Sequence, residues 1–276
     1  MCSIPFQRLF SMSAFEGVRA IRIQLESTQE KNIETTIAVI KSTEADANTF
    51  DFEAAKVLLG IVDNSVPPYG RNFYQHCIHC VVLTQQPIWA KLMTLGRKRF
   101  VKKLDRDEQN IFREAGLLVE PPNDFVIDWW DSITGLIRLE SDKLKLNQAR
   151  QAEKLTLMYE AERLSKKNIS VKPIWTAIED NTAGYDILSY SKNEYGLINK
   201  LIEVKSTIAS PLRFYLTRNE WNHAIKFGEN YFFHIWDMQK NPPNLFIKTI
   251  DEIKPHIPVD SEKGVWKTAE IPVNLP

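Results

Sequence analysis

Three residues in the last third of the chain have types and spacing suited to hydrolytic chemistry: Asp186, Glu203 and Lys205. Glu203 and Lys205 flank Val204 in the stretch Leu201 to Lys205, whose apolar and β-branched residues read as a strand. Side chains alternate along a strand. Glu203 and Lys205 therefore share one face, and Ile202 and Val204 share the other. Upstream, Gly184-Tyr185-Asp186-Ile187 reads as a partner strand, with Tyr185 and Ile187 on one face and Asp186 on the opposite one. A turn over Ser191-Lys192-Asn193-Glu194 would close a hairpin and set Asp186 beside Glu203 and Lys205. Two carboxylates and an amine at that range can hold a hard divalent cation and activate a water. Taken alone, a Glu-x-Lys triplet on a strand is usually a solvated face with a weak ion pair. The upstream Asp186, and a preceding helix that carries glutamates, weigh toward a site.

The elements that must position these groups follow from periodicity. A long amphipathic helix is predicted over residues 147–167, with Glu153, Leu157, Glu160 and Leu164 on one stripe. Two glutamates among leucines fit a stripe that borders a site, or a half-wet helix edge. Val171 to Ile178 reads as the first strand of a sheet, and residues 181–184 as the turn into the Asp186 strand. Phe214 to Leu216 is short and apolar. Thr217-Arg218-Asn219-Glu220 has capping-box spacing and opens a helix that ends near Phe227, before Gly228. Tyr231 to Trp236 and Leu245 to Ile250 are two more strands, and Pro255 onward reads as a peripheral tail. Helix, strand, hairpin, helix and strand make a mixed sheet flanked by helices, an α/β domain.

The first half reads as a helix-rich α+β unit. Residues 1–14 form an arm, Val18 to Gln24 a short strand, and Lys31 to Thr43 either strand or helix. Helical patterns cover 50–62, 87–100 and 105–118, and a further apolar stretch with two tryptophans covers 125–139. Paired prolines and Gly70 mark a loop over 64–70. The polar stretch from Glu140 to Gln148 reads as a linker, so the expected domains are 1–145, for recognition or partner binding, and 146–276. Lys91, Arg97, Lys98, Arg99, Lys102, Lys103 and Arg106 form a local basic patch, either a phosphate-facing helix or a solvated face.

Composition bounds these readings. The 276 residues are 43% hydrophobic and 25% charged, as in ordinary globular proteins, with a formal net charge of zero. The zero net charge counts mildly against nucleic-acid binding, which a local patch can override. No apolar run is long enough to cross a bilayer, and residues 1–15 lack the pattern of a signal peptide, so a cytoplasmic protein with no membrane partner is expected. The three cysteines, Cys2, Cys77 and Cys80, are too few for a disulfide framework. The run His76-Cys77-Ile78-His79-Cys80 is half of a zinc-site pattern, but no second pair follows at finger spacing, and such residues also sit in a buried strand.

Together, several blocks resemble the PD-(D/E)xK nuclease superfamily, the restriction-endonuclease-like fold. The nearest branch is the one seen in the C-terminal domain of the plant protein NO VEIN and in many bacterial defence proteins. The blocks are Ala152-Glu153, Tyr159 to Leu164, Gly184 to Ser189, Ile202 to Thr207, Phe214 to Trp221, and Tyr231, within about residues 148–250. The resemblance implies Asp186 as the acidic strand residue, Glu203 and Lys205 as the (D/E)xK pair, and Glu153 as the helix glutamate, with Glu160 a weaker candidate for the same neighbourhood. Ala152 stands where the family usually has glycine. The resemblance further implies a Mg²⁺-dependent deoxyribonuclease of restriction or phage defence, with Mn²⁺ able to substitute. Asp186, Glu203, the Val204 carbonyl and Glu153 would hold the metal, and Lys205 would polarise the attacking water. DNA, a second copy of the chain and defence-system proteins are the expected partners. The alternatives are a catalytically silent or partner-dependent nucleic-acid-binding subunit. No glycine-rich phosphate loop supports an unrelated small-molecule enzyme.

Overall fold

The structure is a computed structural model and describes residues 4–28, 32–180, 182–260, 262 and 264–273. Cys2 and the Asn181 end of the expected turn lie outside the described residues, as do the first residues of the expected arm. The chain divides into two compact units, Met1–Asp142 and Lys143–Pro276.

Among the described residues, the first unit is helical: α1 (Phe6–Leu9), α2 (Met12–Ser27), α3 (Ile33–Thr43), α4 (Phe52–Leu58), α5 (Gly70–Gln85), α6 (Ala90–Met93), α7 (Arg97–Val101), α8 (Arg106–Glu114) and the start of α9 (Asp124–Lys166). The strand expected at Val18 to Gln24 is part of α2. Ser11 caps that helix through the Ala14 amide, and Ala14, Phe15, Val18 and Ile21 bury a 3.6-period stripe that the shorter window could not reveal. The undecided stretch before Thr43 is α3, started by the Asn32 side chain accepting from Glu34 and Thr35. The helix expected over 87–100 is two short ones, α6 and α7, parted at Gly96, whose φ of 98° an L side chain rarely adopts. The basic patch is consequently spread over α6, α7 and the start of α8 instead of lining one helix. Arg97 leaves it altogether, because its guanidinium donates to the Leu117 and Val119 carbonyls and pairs with Glu120 at 2.6 Å. Packed aromatics dominate this unit's core: Trp89 lies in ring contact with Phe10, Phe100 and Phe112, and Trp130 with Phe100 and Phe112.

The expected linker from Glu140 to Gln148 lies inside α9. Polarity suggested a linker, but Leu, Lys, Glu, Gln, Asp and Asn without Gly or Pro include many strong helix formers, so the helix persists although most of these residues are exposed.

In the second unit, β1 (Ile174–Trp175), β2 (Ile187–Asn193), β3 (Gly196–Thr207), β5 (Tyr231–Asp237) and β6 (Asn244–Thr249) form a mixed sheet in the order β1-β2-β3-β5-β6. The first strand is much shorter than expected, because α10 (Thr176–Glu179) follows at once. The hairpin β2–β3 pairs Ile187 with Ile202 and Asn193 with Gly196, so the turn is two residues, Glu194 and Tyr195. β3 and β5 are parallel, joined through β4 (Arg213–Thr217) and α11 (Arg218–Phe227). The final stretch is not a peripheral tail. After α12 (Ile250–Ile253), β7 (Thr268–Pro272) pairs antiparallel with β4 and buries Ala269 and Ile271 in the core, with Val273 buried just after it. Its alternating pattern is short and follows a proline-rich approach, which hid it.

Candidate active site

The alternation on β3 separates two environments. Ile202 and Val204 pack with Ala152 of α9, Ile187 and Trp236. Leu201 instead joins the core beneath α11, and Glu203 and Lys205 share its side of the strand. Ala152, where the related pattern has glycine, is fully buried in an uninterrupted α9. The expected pairing of Tyr185 with Ile187 on one face does not hold. β2 begins only at Ile187, and Tyr185 packs edge-on against Phe227 in the other cluster.

Asp186 stands immediately before β2. Its amide donates to the Ile202 carbonyl at 2.9 Å, and its own carbonyl accepts from Ala177 at 2.9 Å, which pins the backbone on both sides. Its Oδ2 accepts the Val204 amide at 2.7 Å. An extended residue points amide and carbonyl to the same neighbour, so the Val204 carbonyl also faces Asp186, past the end of β2. Glu203 is buried: its Oε1 lies 2.9 Å from Lys205 Nζ, and its Oε2 accepts the Tyr231 hydroxyl at 3.1 Å. Lys205 Nζ also lies 2.7 Å from Glu220 Oε2. A cleft of about 190 Å³ opens between Asp186, Glu203, Glu220, Asn219 and His223.

Electrostatics make the cleft a place for positive charge. Burial pushes the Asp186 carboxyl up to about 8; the charge of Glu203 adds to this, and the Val204 amide opposes it. Burial also raises Glu203, against the pull of Lys205. For Lys205, burial acts to lower the pKa, but the charges of Glu203 and Glu220 override it and hold the ammonium protonated. A lysine locked in its charged form is a donor and a positive pole, not a base. The carboxyl groups of Asp186, Glu203 and Glu220 line the gap, and a cation bound there would replace the proton that burial favours on Asp186. That set suits a hard divalent cation.

The predicted residues Asp186, Glu203 and Lys205 thus come together. Glu153 sits beside them: its charge acts on Asp186, but its own carboxylate is bound by the Trp175 indole N–H and by Arg150 Nη1 at 2.7 Å. Glu160 does not belong to this neighbourhood. It is fully buried and saturated by cations, with Lys200 Nζ at 2.8 Å, Arg163 Nε at 2.8 Å and the Ser189 hydroxyl at 2.5 Å, which together hold its carboxyl down to about 2 despite burial. The helix stripe therefore serves two purposes two turns apart, and spacing alone could not divide them.

Sequence reasoning missed three contributors. Glu220 was legible only as a capping residue, and it is one: its carboxylate accepts the Thr217 amide at 2.9 Å while Thr217 Oγ1 accepts the Glu220 amide. The same carboxylate anchors Lys205. His223, one turn further on the same helix face, lines the cleft with a buried Nδ1 that has no hydrogen-bond partner among the described residues. Tyr231 bridges Glu203 and the Gly184 carbonyl. The available signal was the apposition of a helix start and the Glu-x-Lys strand, which only the fold reveals.

A search of curated proteins and a search of solved structures each find no match. A family model described as "Protein NO VEIN, C-terminal" matches residues 152–248, about a third of the chain, and spans Glu153, Asp186, Glu203, Lys205, Glu220 and Tyr231. Residues 152–248 are therefore similar to the C-terminal domain family of NO VEIN, which is related to the PD-(D/E)xK nuclease superfamily.

Proposed function

We propose that this chain is a Mg²⁺-dependent endonuclease acting on DNA, in restriction or phage defence. The observation that carries the reading is the convergence of Asp186, Glu203 and Glu220 on one cleft, with Lys205 paired to the last two. Asp186, Glu203 and the Val204 carbonyl would hold the cation, with Glu153 acting through a water or on a second ion. When bound, Mg²⁺ (or Mn²⁺ in its place) lowers the pKa of a coordinated water and offsets the charge of the scissile phosphate.

The chain's own residues do the remainder. Lys205, kept protonated by Glu203 and Glu220, orients the attacking water and stabilises negative charge as it develops. Tyr231 holds the second oxygen of Glu203, so that carboxylate presents a fixed edge to the cleft. Glu220 tethers Lys205 to the first turn of α11, which limits its swing. Cutting both strands calls for two such sites, and a homodimer supplies them by symmetry. The first unit, with its scattered cations, would contact DNA or a defence partner.

The test is incubation with plasmid, phage and base-modified DNA, with Mg²⁺, Mn²⁺ or EDTA, beside Lys205→Ala. Metal-dependent cutting by the wild type, lost in the variant with far-UV circular dichroism unchanged, is the expected result. Cutting that survives Lys205→Ala removes the mechanism. No cutting by either protein on any substrate transfers the reading to a nucleic-acid-binding or partner-dependent subunit.

A further inference from the structure

The His76 to Cys80 run lies on α5, where helical spacing sorts its members. Cys77 points into the core and is fully buried, with burial holding its thiol well above the ordinary range. His76 and Cys80, four residues apart, share a face, with Nε2 and Sγ 3.6 Å apart. The loop after α4 brings Asp63 to the same point. Its Oδ1 lies 3.4 Å from His76 Nε2 and is fixed by the Ser65 amide at 2.7 Å.

One nitrogen decides what this cluster is. A Cys-His-Asp relay needs the thiol on one ring nitrogen and the carboxylate on the other. Here sulfur and carboxylate both converge on Nε2. All three ligand atoms lie within 4.8 Å of one another. Tetrahedral zinc with bonds of about 2.0–2.1 Å to nitrogen, 2.3 Å to sulfur and 2.0–2.2 Å to oxygen sets N···S edges near 3.6 Å and N···O edges near 3.3–3.4 Å. The observed separations match both edges.

We propose that Asp63, His76 and Cys80 form a zinc site with three protein ligands and a fourth position open to water or an incoming ligand. The site lies in the first unit and is independent of the nuclease reading. It ties the loop after α4 to the middle of α5.

The experiment uses the full chain, stripped with chelator and titrated with Co²⁺, then Zn²⁺. One equivalent of Co²⁺ should give a thiolate-to-cobalt charge-transfer band, bleached by Zn²⁺. The cleft at Asp186 is lined by no cysteine and cannot produce that band, so the two proposals fail separately. Cys80→Ser should abolish the band and weaken Zn²⁺ binding by more than about 100-fold, beyond the cost of disturbing an outer-shell partner. His76→Gln should weaken binding similarly, and Cys2→Ser should leave the band intact. Absence of the band in the wild type overturns the proposal, whatever the variants do. So does a band that survives Cys80→Ser.

Discussion

Replacing Asp186 with asparagine should stabilise the metal-free protein at neutral pH while removing its response to Mg²⁺. An ordinary aspartate titrates near 3.8, and burial beside Glu203 carries this one up to about 8. A folded-state pKa above the unfolded value means that the folded protein holds a proton the unfolded chain has released. Stability is then full below about pH 4 and is lost progressively as pH rises toward 8. At about 1.4 kcal/mol per pKa unit, the carboxyl costs on the order of 4 kcal/mol at pH 7, an upper figure because Glu203 shares the burden. Asparagine carries no charge, and its side-chain oxygen can still accept the Val204 amide. Urea unfolding from pH 5 to 8, in EDTA and in Mg²⁺, measures the effect. The wild type in EDTA should weaken with rising pH and recover with Mg²⁺, while Asp186→Asn should follow a flatter profile and ignore the metal. A variant less stable than wild type at pH 8 in EDTA, or one with the same pH slope, would refute the argument.

Glu160→Gln should cost about 3 kcal/mol in urea unfolding, because it leaves Lys200 and Arg163 buried without their counter-charge; a loss below about 1 kcal/mol would show that the cluster relaxes to water. Gly184→Ala should destabilise by about 2–4 kcal/mol, since its φ of 80° disfavours a side chain and the new Cβ would stand 2.2 Å from His223 Nδ1. Adding His223→Ala should return the steric part only, which thermal melts of the single and double variants can separate. A chain ending at Lys267 loses β7 and the burial of Ala269, Ile271 and Val273, worth about 5 kcal/mol by transfer energies; proteolysis should then attack the second unit, and a melt unchanged from the full chain would show β7 to be dispensable.

Much of the second unit was legible because its signals are local. Alternation along β3, the capping box at Thr217 and Gly228 after Phe227 each depend on neighbours a few residues away, and the structure has all three. The strand at Val18 and the linker at Glu140 misled for the opposite reason. A seven-residue window cannot separate a period of 2 from 3.6 when Val and Ile dominate it, and polarity alone does not distinguish a coil from an exposed helix. At the cleft, Asp186, Glu203 and Lys205 were visible through their types and order. Glu220, His223 and Tyr231 were not, since they arrive through the β3–α11–β5 crossover, and no spacing in the chain encodes that convergence.

The carboxylate of Glu220 closes the first turn of α11 and also grips Lys205. Helix initiation and lysine placement are thus linked equilibria sharing one ligand. Whatever draws the ammonium toward a phosphate releases part of what steadies the helix start, and that release is deducted from the affinity gained. By reciprocity, a change that tightens the first turn of α11 raises the threshold an incoming anion must meet before Lys205 will turn to it.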